Sequence, residues 1–174
     1  MKKSLLILSL FICFNLCAQS ETDVPTIFEK HNEVKISTIK LLAGPILEAS
    51  YEYVENRNVG YGAILLIDFN SNYFEKFSVT PFFRMYFDRD EQYGAKGFFV
   101  ESFLSLYNGK DNLDANNDNN KSFFDTALGI ALGQKWINSA GFMFEVKLGV
   151  GRNLLGNASN DAVFKGDFSI GYRF

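Results

Sequence analysis

Apolar and polar residues alternate along most of this chain, from Val34 to its last residue, Phe174. Successive side chains of a β-strand point to opposite faces, so a period of two predicts strands whose two faces meet different surroundings. The pattern occurs in eight segments, which predicts an all-β fold, a closed antiparallel up-and-down transmembrane β-barrel of about eight strands. The clearest segment is the last, where one parity carries Phe164, Phe168, Ile170, Tyr172 and Phe174.

The predicted strands cover about 34–42, 47–54, 59–69, 76–87, 98–107, 124–136, 142–151 and 164–174. The first of them alternates poorly after Ser37. Pro81 lies inside the fourth, where its missing N–H removes a ladder hydrogen bond, so we expect a bulge or a local break there. Connections 55–58, 88–96 and 138–140 would turn at the end where the chain enters the barrel, and the longest connection, 108–121, would lie at the other end.

The N-terminus predicts export. Lys2 and Lys3 precede an apolar run over 5–16, and Ala18 precedes polar residues, which is the layout of a cleaved secretory signal peptide. We therefore expect a signal peptide at 1–18, a polar periplasmic tail at 19–33 and an outer-membrane barrel domain at 34–174. Lipid attachment at Cys17 is the alternative, although Leu16 is larger than the residue that usually precedes a lipidated Cys.

Composition excludes several other classes of protein. Cys13 and Cys17 are the two cysteines of the chain and lie in the predicted signal peptide, so the mature chain would form no disulfide. Without Lys2 and Lys3 it has 15 basic and 20 acidic residues, and this net charge of −5 disfavours a nucleic-acid partner. No later apolar run approaches the ~18 residues of a spanning helix, so membrane insertion would have to use strands.

Small residues cluster on the parity that also carries the charges. In a narrow barrel interior they make room for long neighbouring side chains. A Lys or Arg that faces lipid at the bilayer midplane costs about 2–4 kcal/mol, which also favours charges inside and the Phe-rich parity outside. The small residues are Gly60, Gly62, Ala127, Gly129, Ala131, Gly133, Gly149, Gly151 and Gly171.

The inward charges predict a structural network of ion pairs in the lumen. A proton or ion path is the alternative, which is disfavoured because eight-stranded interiors are usually filled. We expect the network to contain Arg84, Glu101, Asp125, Lys135, Glu145, Lys147, Lys165 and Asp167. The same parity also carries Lys35, Lys76, Arg173, Glu48, Glu52 and Asp68.

The end of the chain and four short motifs resemble known outer-membrane proteins. Phe174 shares the apolar parity with Tyr172, which resembles the terminal signal read by the outer-membrane assembly machinery. The motifs are 93–101 (YGAKGFFVE), 133–136 (GQKW), 141–145 (GFMFE) and 149–152 (GVGR). With them, residues 33–174 resemble small outer-membrane β-barrel proteins of domain-of-unknown-function family 3575. The resemblance implies a barrel in the outer membrane and brings no assigned activity.

The residues do not form a recognisable catalytic site. His31 is the only histidine and precedes the first strand, too far from the outer loops for a Ser-His-Asp arrangement, so we expect an unpaired surface histidine. No phosphate loop, zinc spacing or nucleophile elbow is present. Carboxylate pairs such as Glu48 with Glu52, or Glu101 with Asp125, could serve acid-base chemistry, but nearby cations favour salt bridges. We expect no catalytic activity, no cofactor and no metal.

One acidic loop has the spacing of a calcium site. Asp114, Asn116, Asp118 and Asp125 fall at positions one, three, five and twelve of such a loop. Asn119 stands in place of the usual Gly, and no helices flank the stretch. A solvated external loop is therefore favoured, with weak binding of calcium or of cations that bridge lipopolysaccharide as the alternative.

These patterns favour an outer-membrane barrel with a filled lumen and a structural or surface-interaction role. We expect a monomer whose partners are outer-membrane lipid, lipopolysaccharide and, during biogenesis, the barrel-assembly machinery. One alternative is a soluble periplasmic or secreted barrel that binds an apolar ligand, which requires the Phe-rich parity inside. The other is a narrow ion-conducting pore, which requires a continuous gap among the lumen charges.

Overall fold

The computed structural model describes residues 29–69, 75–87, 94–111, 121–158 and 161–174. In these residues the strands form one closed barrel in which neighbours in the chain pair antiparallel and β1 pairs with β8. The predicted closed, antiparallel, up-and-down barrel of about eight strands is therefore confirmed. The strands are β1 Asn32–Ser37, β2 Ile46–Val54, β3 Val59–Asp68, β4 Glu75–Tyr86, β5 Gly97–Asp111, β6 Lys121–Ile137, β7 Phe142–Asn153 and β8 Ala162–Arg173.

The first predicted strand is wrong beyond Ser37, because a short helix, α1, occupies Thr38–Ala43. At its start, the Ser37 hydroxyl accepts a hydrogen bond from the Lys40 N–H and caps the helix. At its end, the Gly44 N–H donates the last hydrogen bond to the Lys40 carbonyl, and Pro45 follows directly. In the described ranges, no helix has the length and hydropathy needed to cross a membrane.

The two ends of the barrel differ in their connections. Asn32 and Phe174 exchange backbone hydrogen bonds at one end, which we call the terminal end, and turns 55–58 and 138–141 lie there too. At the opposite end, the loop end, β5 and β6 are the longest strands, with 15 and 17 residues. The predicted loop 108–121 is therefore shorter, because strand pairing continues to Asp111 and resumes at Lys121. Residues 70–74, 88–93, 112–120 and 159–160 of the predicted connections lie outside the described residues.

The two parities of the strands face opposite surroundings, as their alternation predicts. On β6, Ile130 is 59% exposed on the outer wall, whereas Lys135 is 1% exposed in the lumen. The Phe-rich parity faces outward on the other strands too, as at Phe83, Phe144 and Phe168. The apolar-ligand alternative required this parity inside and is therefore overturned by the orientation of the strands.

Pro81 does not produce the bulge that its position suggested. The pairing of β4 with β5 passes from Val79 opposite Leu106 to Phe82 opposite Phe103 without a change of register. The register shift of this pair lies between Glu75 and Phe77 instead. Pro81 points outward within a continuous strand, and the missing donor causes only a local break in the ladder.

Glycines on the inner wall make room for aromatic rings. A Cβ atom at Gly133 would lie 2.4 Å from the Cζ atom of Phe99, and one at Gly129 would lie 2.3 Å from that of Phe103. Both distances are far inside van der Waals contact. The prediction that small residues accommodate larger neighbours in the lumen is therefore confirmed.

Substitution of an inward glycine should destabilise the barrel. We expect Gly133→Ala to lower the free energy of unfolding by about 1–3 kcal/mol, because its methyl group would overpack Phe99 and the β7 backbone. The measurement is a urea titration followed by the fluorescence of Trp136. The control is Gly166→Ala on the outer face, where the new Cβ atom meets only Leu148, at 3.4 Å. We expect it to change stability by at most about 0.5 kcal/mol, and equal losses would contradict overpacking of the lumen.

Candidate functional site: the charged lumen

Charged side chains from seven strands converge in the half of the lumen nearer the terminal end. Each is at most 4% exposed, and they contact one another through ion pairs. Strand β3 contributes Gly60 instead, where a Cβ atom would lie 2.3 Å from Oε1 of Glu52. We call this group the lumen network: Glu33, Lys35, Glu52, Arg84, Glu101, Lys135, Glu145, Lys147 and Arg173.

Arg84 is the centre of the lumen network. Its Nε atom donates to Glu101 at 2.6 Å, and Nη1 donates to Glu52 at 2.9 Å. Nη1 and Nη2 also form a bidentate pair with Glu145, at 2.7 and 2.8 Å. The guanidinium carbon lies 4.5 Å from the ring centre of Phe82 and 4.4 Å from that of Phe99. One side chain therefore connects β2, β5 and β7 and is held between two aromatic rings.

Glu52 binds two further cations of the network, Lys35 and Lys135. Its Oε2 atom accepts from Lys35 at 2.7 Å and from Lys135 at 3.0 Å, in addition to Arg84. Its Oε1 atom accepts from the Tyr86 hydroxyl, which in turn accepts from Lys135. A buried carboxylate with this many charge-assisted donors is held in its ionised form.

A second cluster of contacts joins the first and last strands. The Nε and Nη2 atoms of Arg173 donate to Oε1 of Glu33 at 2.8 and 2.6 Å, and Lys135 donates to the other oxygen at 2.7 Å. Arg173 also donates to the backbone carbonyls of Gly94 and Ala95, at 2.7 and 3.0 Å. This side chain therefore ties β8 to β1 and to the connection between β4 and β5.

The lumen network is nearly balanced in charge. Four carboxylates face five cations, and each is within 4.0 Å of an oppositely charged atom. Burial of an unpaired ion costs several kcal/mol, so the balance is what allows so many charges inside the barrel. The chemical consequence is that no carboxylate of this group is an isolated acid or base.

Five of the eight predicted site residues come together in this network. Arg84, Glu101, Lys135, Glu145 and Lys147 do so, as described above. The other three have partners outside the network, because parity gives the face of a residue and not the side chains that it meets there.

Lys165 and Asp167 have polar partners outside the lumen network. Lys165 donates to the Ser105 and Thr80 hydroxyls at 2.9 and 3.3 Å and lies 3.7 Å from Glu75. Asp167 accepts from the Ser37 hydroxyl. These contacts extend the polar lumen but do not join the two residues to Arg84.

Asp125 holds a loop and not an ion pair. Its carboxylate accepts from the backbone N–H groups of Thr126, Leu155, Asn157 and Ala158, at 2.7 to 3.1 Å. Asp125 was predicted to belong to an ion-pair network. Its role is corrected to the positioning of residues 154–158 beside the first part of β6, at the loop end. The other proposed calcium ligands, Asp114, Asn116 and Asp118, lie outside the described residues.

Sequence reasoning missed Glu33 as a network member and Tyr86 as a hydrogen-bonding partner of the network. Glu33 was assigned to the tail, but β1 starts at Asn32 and places this carboxylate in the lumen with 0% exposure. The alternation Glu33, Val34, Lys35, Ile36 was the signal that could have found it. Tyr86 shares its parity with Arg84, but only the fold shows that its hydroxyl bonds to the Glu52 carboxylate and the Lys135 ammonium group.

The candidate acid-base groups are all engaged. Glu48 pairs with Lys40, and Glu52 with the three cations described above. His31 donates from Nδ1 to the Val54 carbonyl and stacks on the Tyr53 ring, so the prediction of an unpaired surface histidine is wrong. In the part of the chain that the structure describes, no three His, Cys, Asp or Glu side chains are grouped to hold a metal ion.

Little space remains in the lumen beside Arg84. A void of about 10 Å³ lies between Arg84, Lys147 and Asp167, bordered also by serines of three strands. That is room for about one water molecule. The lumen at this level is therefore closed by side chains.

Comparison with known proteins supports the fold. No family model matches the chain, and no curated protein matches it, so the resemblance to domain-of-unknown-function family 3575 gains no support from either. The crystal structure of the N-terminal β-barrel domain of Pseudomonas aeruginosa OprF is similar, with a TM-score of 0.60 over 83% of this chain and 98% of that chain. The two sequences are 13% identical, so the likeness concerns the barrel architecture.

Removal of the central guanidinium should destabilise the barrel strongly. We expect Arg84→Met to lower the free energy of unfolding by about 3–5 kcal/mol, because three buried carboxylates lose a shared partner. Arg84→Lys should cost less, since it keeps the charge but loses the bidentate geometry. The measurement is a urea titration followed by Trp136 fluorescence, with Arg152→Met on the exposed wall as the control. A loss for Arg84→Met no larger than for the control would contradict the central role of Arg84.

Proposed function

We propose that this protein is an outer-membrane β-barrel with a filled lumen, whose role is structural or a surface interaction and not catalytic. The observation that carries the proposal is the inverted distribution of side chains, with charges buried inside and apolar side chains exposed around the wall. Soluble monomers rarely expose contiguous apolar patches of more than a few hundred Å². Such an apolar wall is stable when lipid hydrocarbon surrounds it.

Aromatic side chains near the terminal end support a membrane boundary at that level. Trp136 stacks on Phe144 with ring centres 4.6 Å apart, and Phe142 packs against Tyr172 at 5.2 Å. All four rings are on the outer wall. Outer-membrane barrels carry aromatic girdles of this kind where the apolar band meets the interface.

The unequal connections support an orientation. Two of the three connections at the terminal end are turns of four residues, 55–58 and 138–141, whereas the third, 87–96, has ten. The longest strand pair, β5 with β6, extends at the loop end. The two short turns and the long strand pair correspond to the short periplasmic turns and extended outer side of outer-membrane barrels. The terminal end then faces the periplasm, and the loop end, including the segment fixed by Asp125, faces outward. The proposed partners are outer-membrane lipid, lipopolysaccharide and, during biogenesis, the assembly machinery, with the barrel as a monomer.

Fractionation tests the location. We expect the full chain to be recovered with outer membranes, to need detergent for extraction, and to migrate faster on a gel before boiling than after it. Protein that is monodisperse in buffer without detergent, with its mature form in the soluble periplasm, would overturn the proposal.

Conductance tests the filled lumen. The side chains around Arg84 leave a void for about one water molecule, so the purified barrel in planar bilayers should give no discrete single-channel currents. Reproducible currents would contradict a filled lumen and favour the narrow-pore alternative, while leaving the membrane location intact.

A further inference from the structure

The barrel wall is incomplete beside β1 when strands alone are considered. Strand β1 ends at Ser37, which pairs with Ser169 of β8, whereas β8 continues toward the loop end as far as Ala162. Across the described chain, the β8 segment from Ala162 to Phe168 therefore has a strand partner only on its β7 side. Strand β2 likewise extends past its last β1 pair, at Ala49, to Ile46.

Helix α1 lies across this opening and is attached to both of its edges. On the β8 side, the Ser37 hydroxyl donates to Asp167, and the Thr38 hydroxyl donates to the Phe168 carbonyl at 2.9 Å. On the β2 side, the Lys40 ammonium pairs with the Glu48 carboxylate. The helix therefore occupies the place in the wall where continued strand pairing would have been.

The face of α1 turned away from the lumen is apolar. Ile39, Leu41 and Leu42 are 53%, 56% and 87% exposed, and no residue of this helix is buried. The wall on either side is apolar too, with Phe168 on β8 and Leu47 on β2 exposed. The apolar surface is thus continuous from β8 over α1 to β2.

We propose that α1 lies within the outer leaflet of the membrane and closes a lateral opening in the wall, with Ile39, Leu41 and Leu42 in contact with lipid acyl chains. The inference rests on the proposed outer-membrane location. Unpaired strand edges are not stable in hydrocarbon, because their N–H and C=O groups have no partner there. Helix α1 lies over both edges, and its Thr38 hydroxyl donates to the Phe168 carbonyl on the β8 edge. Its exposed apolar side chains face the same hydrocarbon as the neighbouring strands.

The polar side of α1 explains why the opening must be closed. Lys40, Glu48 and Asp167 lie on its lumen side, close to the void beside Arg84. Without the helix, Glu48 and Asp167 would face the acyl chains through the gap. The pairing of Glu48 with Lys40 and of Asp167 with Ser37 keeps both carboxylates on the lumen side of the wall.

Quenching of single tryptophans by lipids with brominated acyl chains tests the depth of α1. The protein has one tryptophan, Trp136. The Trp136→Phe variant therefore has no tryptophan fluorescence, and Leu42→Trp is introduced into it. The lipid-exposed control is Ile130→Trp on the outer wall, and the water-exposed control is Ser139→Trp in a terminal-end turn. Each variant is folded into phosphatidylcholine vesicles and checked by its heat-dependent gel shift.

We expect bromolipid to reduce the fluorescence of Leu42→Trp by a fraction comparable to that of Ile130→Trp, with little loss for Ser139→Trp. Quenching of Leu42→Trp by aqueous iodide instead, while Ile130→Trp responds to bromolipid, would overturn the inference and leave the proposed function standing. If neither native Trp136 nor Ile130→Trp responds to bromolipid, the membrane location itself fails. Leu41→Trp provides the same readout if Leu42→Trp does not fold.

Discussion

The charges inside this barrel are neutralised by side chains of other strands, and the rest of the structure depends on that constraint. Arg84 on β4 reaches carboxylates on β2, β5 and β7, so it specifies how these strands are placed around the lumen. A slip of one residue in any strand would exchange its two faces and bring charges to the outer wall. The ion pairs therefore fix the strand register, and the apolar outer wall follows from it.

The limited width of the lumen decides which residues can accompany these charges. Arg84 is held between the Phe82 and Phe99 rings, and the space for Phe99 exists because Gly133 has no side chain. Gly129 does the same for Phe103. Glycine thus contributes to packing here through its neighbours, although it weakens an isolated strand. Large side chains on one strand therefore occupy the space that glycines leave free on the neighbouring strand.

Alternation along the sequence predicted the strand number, and together with the small and charged residues on one parity it predicted a closed barrel and the face that turns inward. It could not give the height of a residue in the lumen, because height depends on the stagger between strands that are distant in the chain. Asp125 and Lys165 were therefore grouped with Arg84, although both lie nearer the loop end. Helix α1 was missed because its start at Ser37 and its end before Gly44 and Pro45 were read as irregular alternation and not as caps.

The ion pair between Arg173 and Glu33 joins two residues that are 140 positions apart, at the seam where the sheet closes on itself. Before that seam forms, Glu33 and Lys35 on β1 and Arg173 on β8 lack the partners that make their burial tolerable. A partly assembled, open sheet would therefore carry uncompensated charges on its concave side. The barrel closes and these ion pairs form in the same step. This favours all-or-none folding over the accumulation of open intermediates.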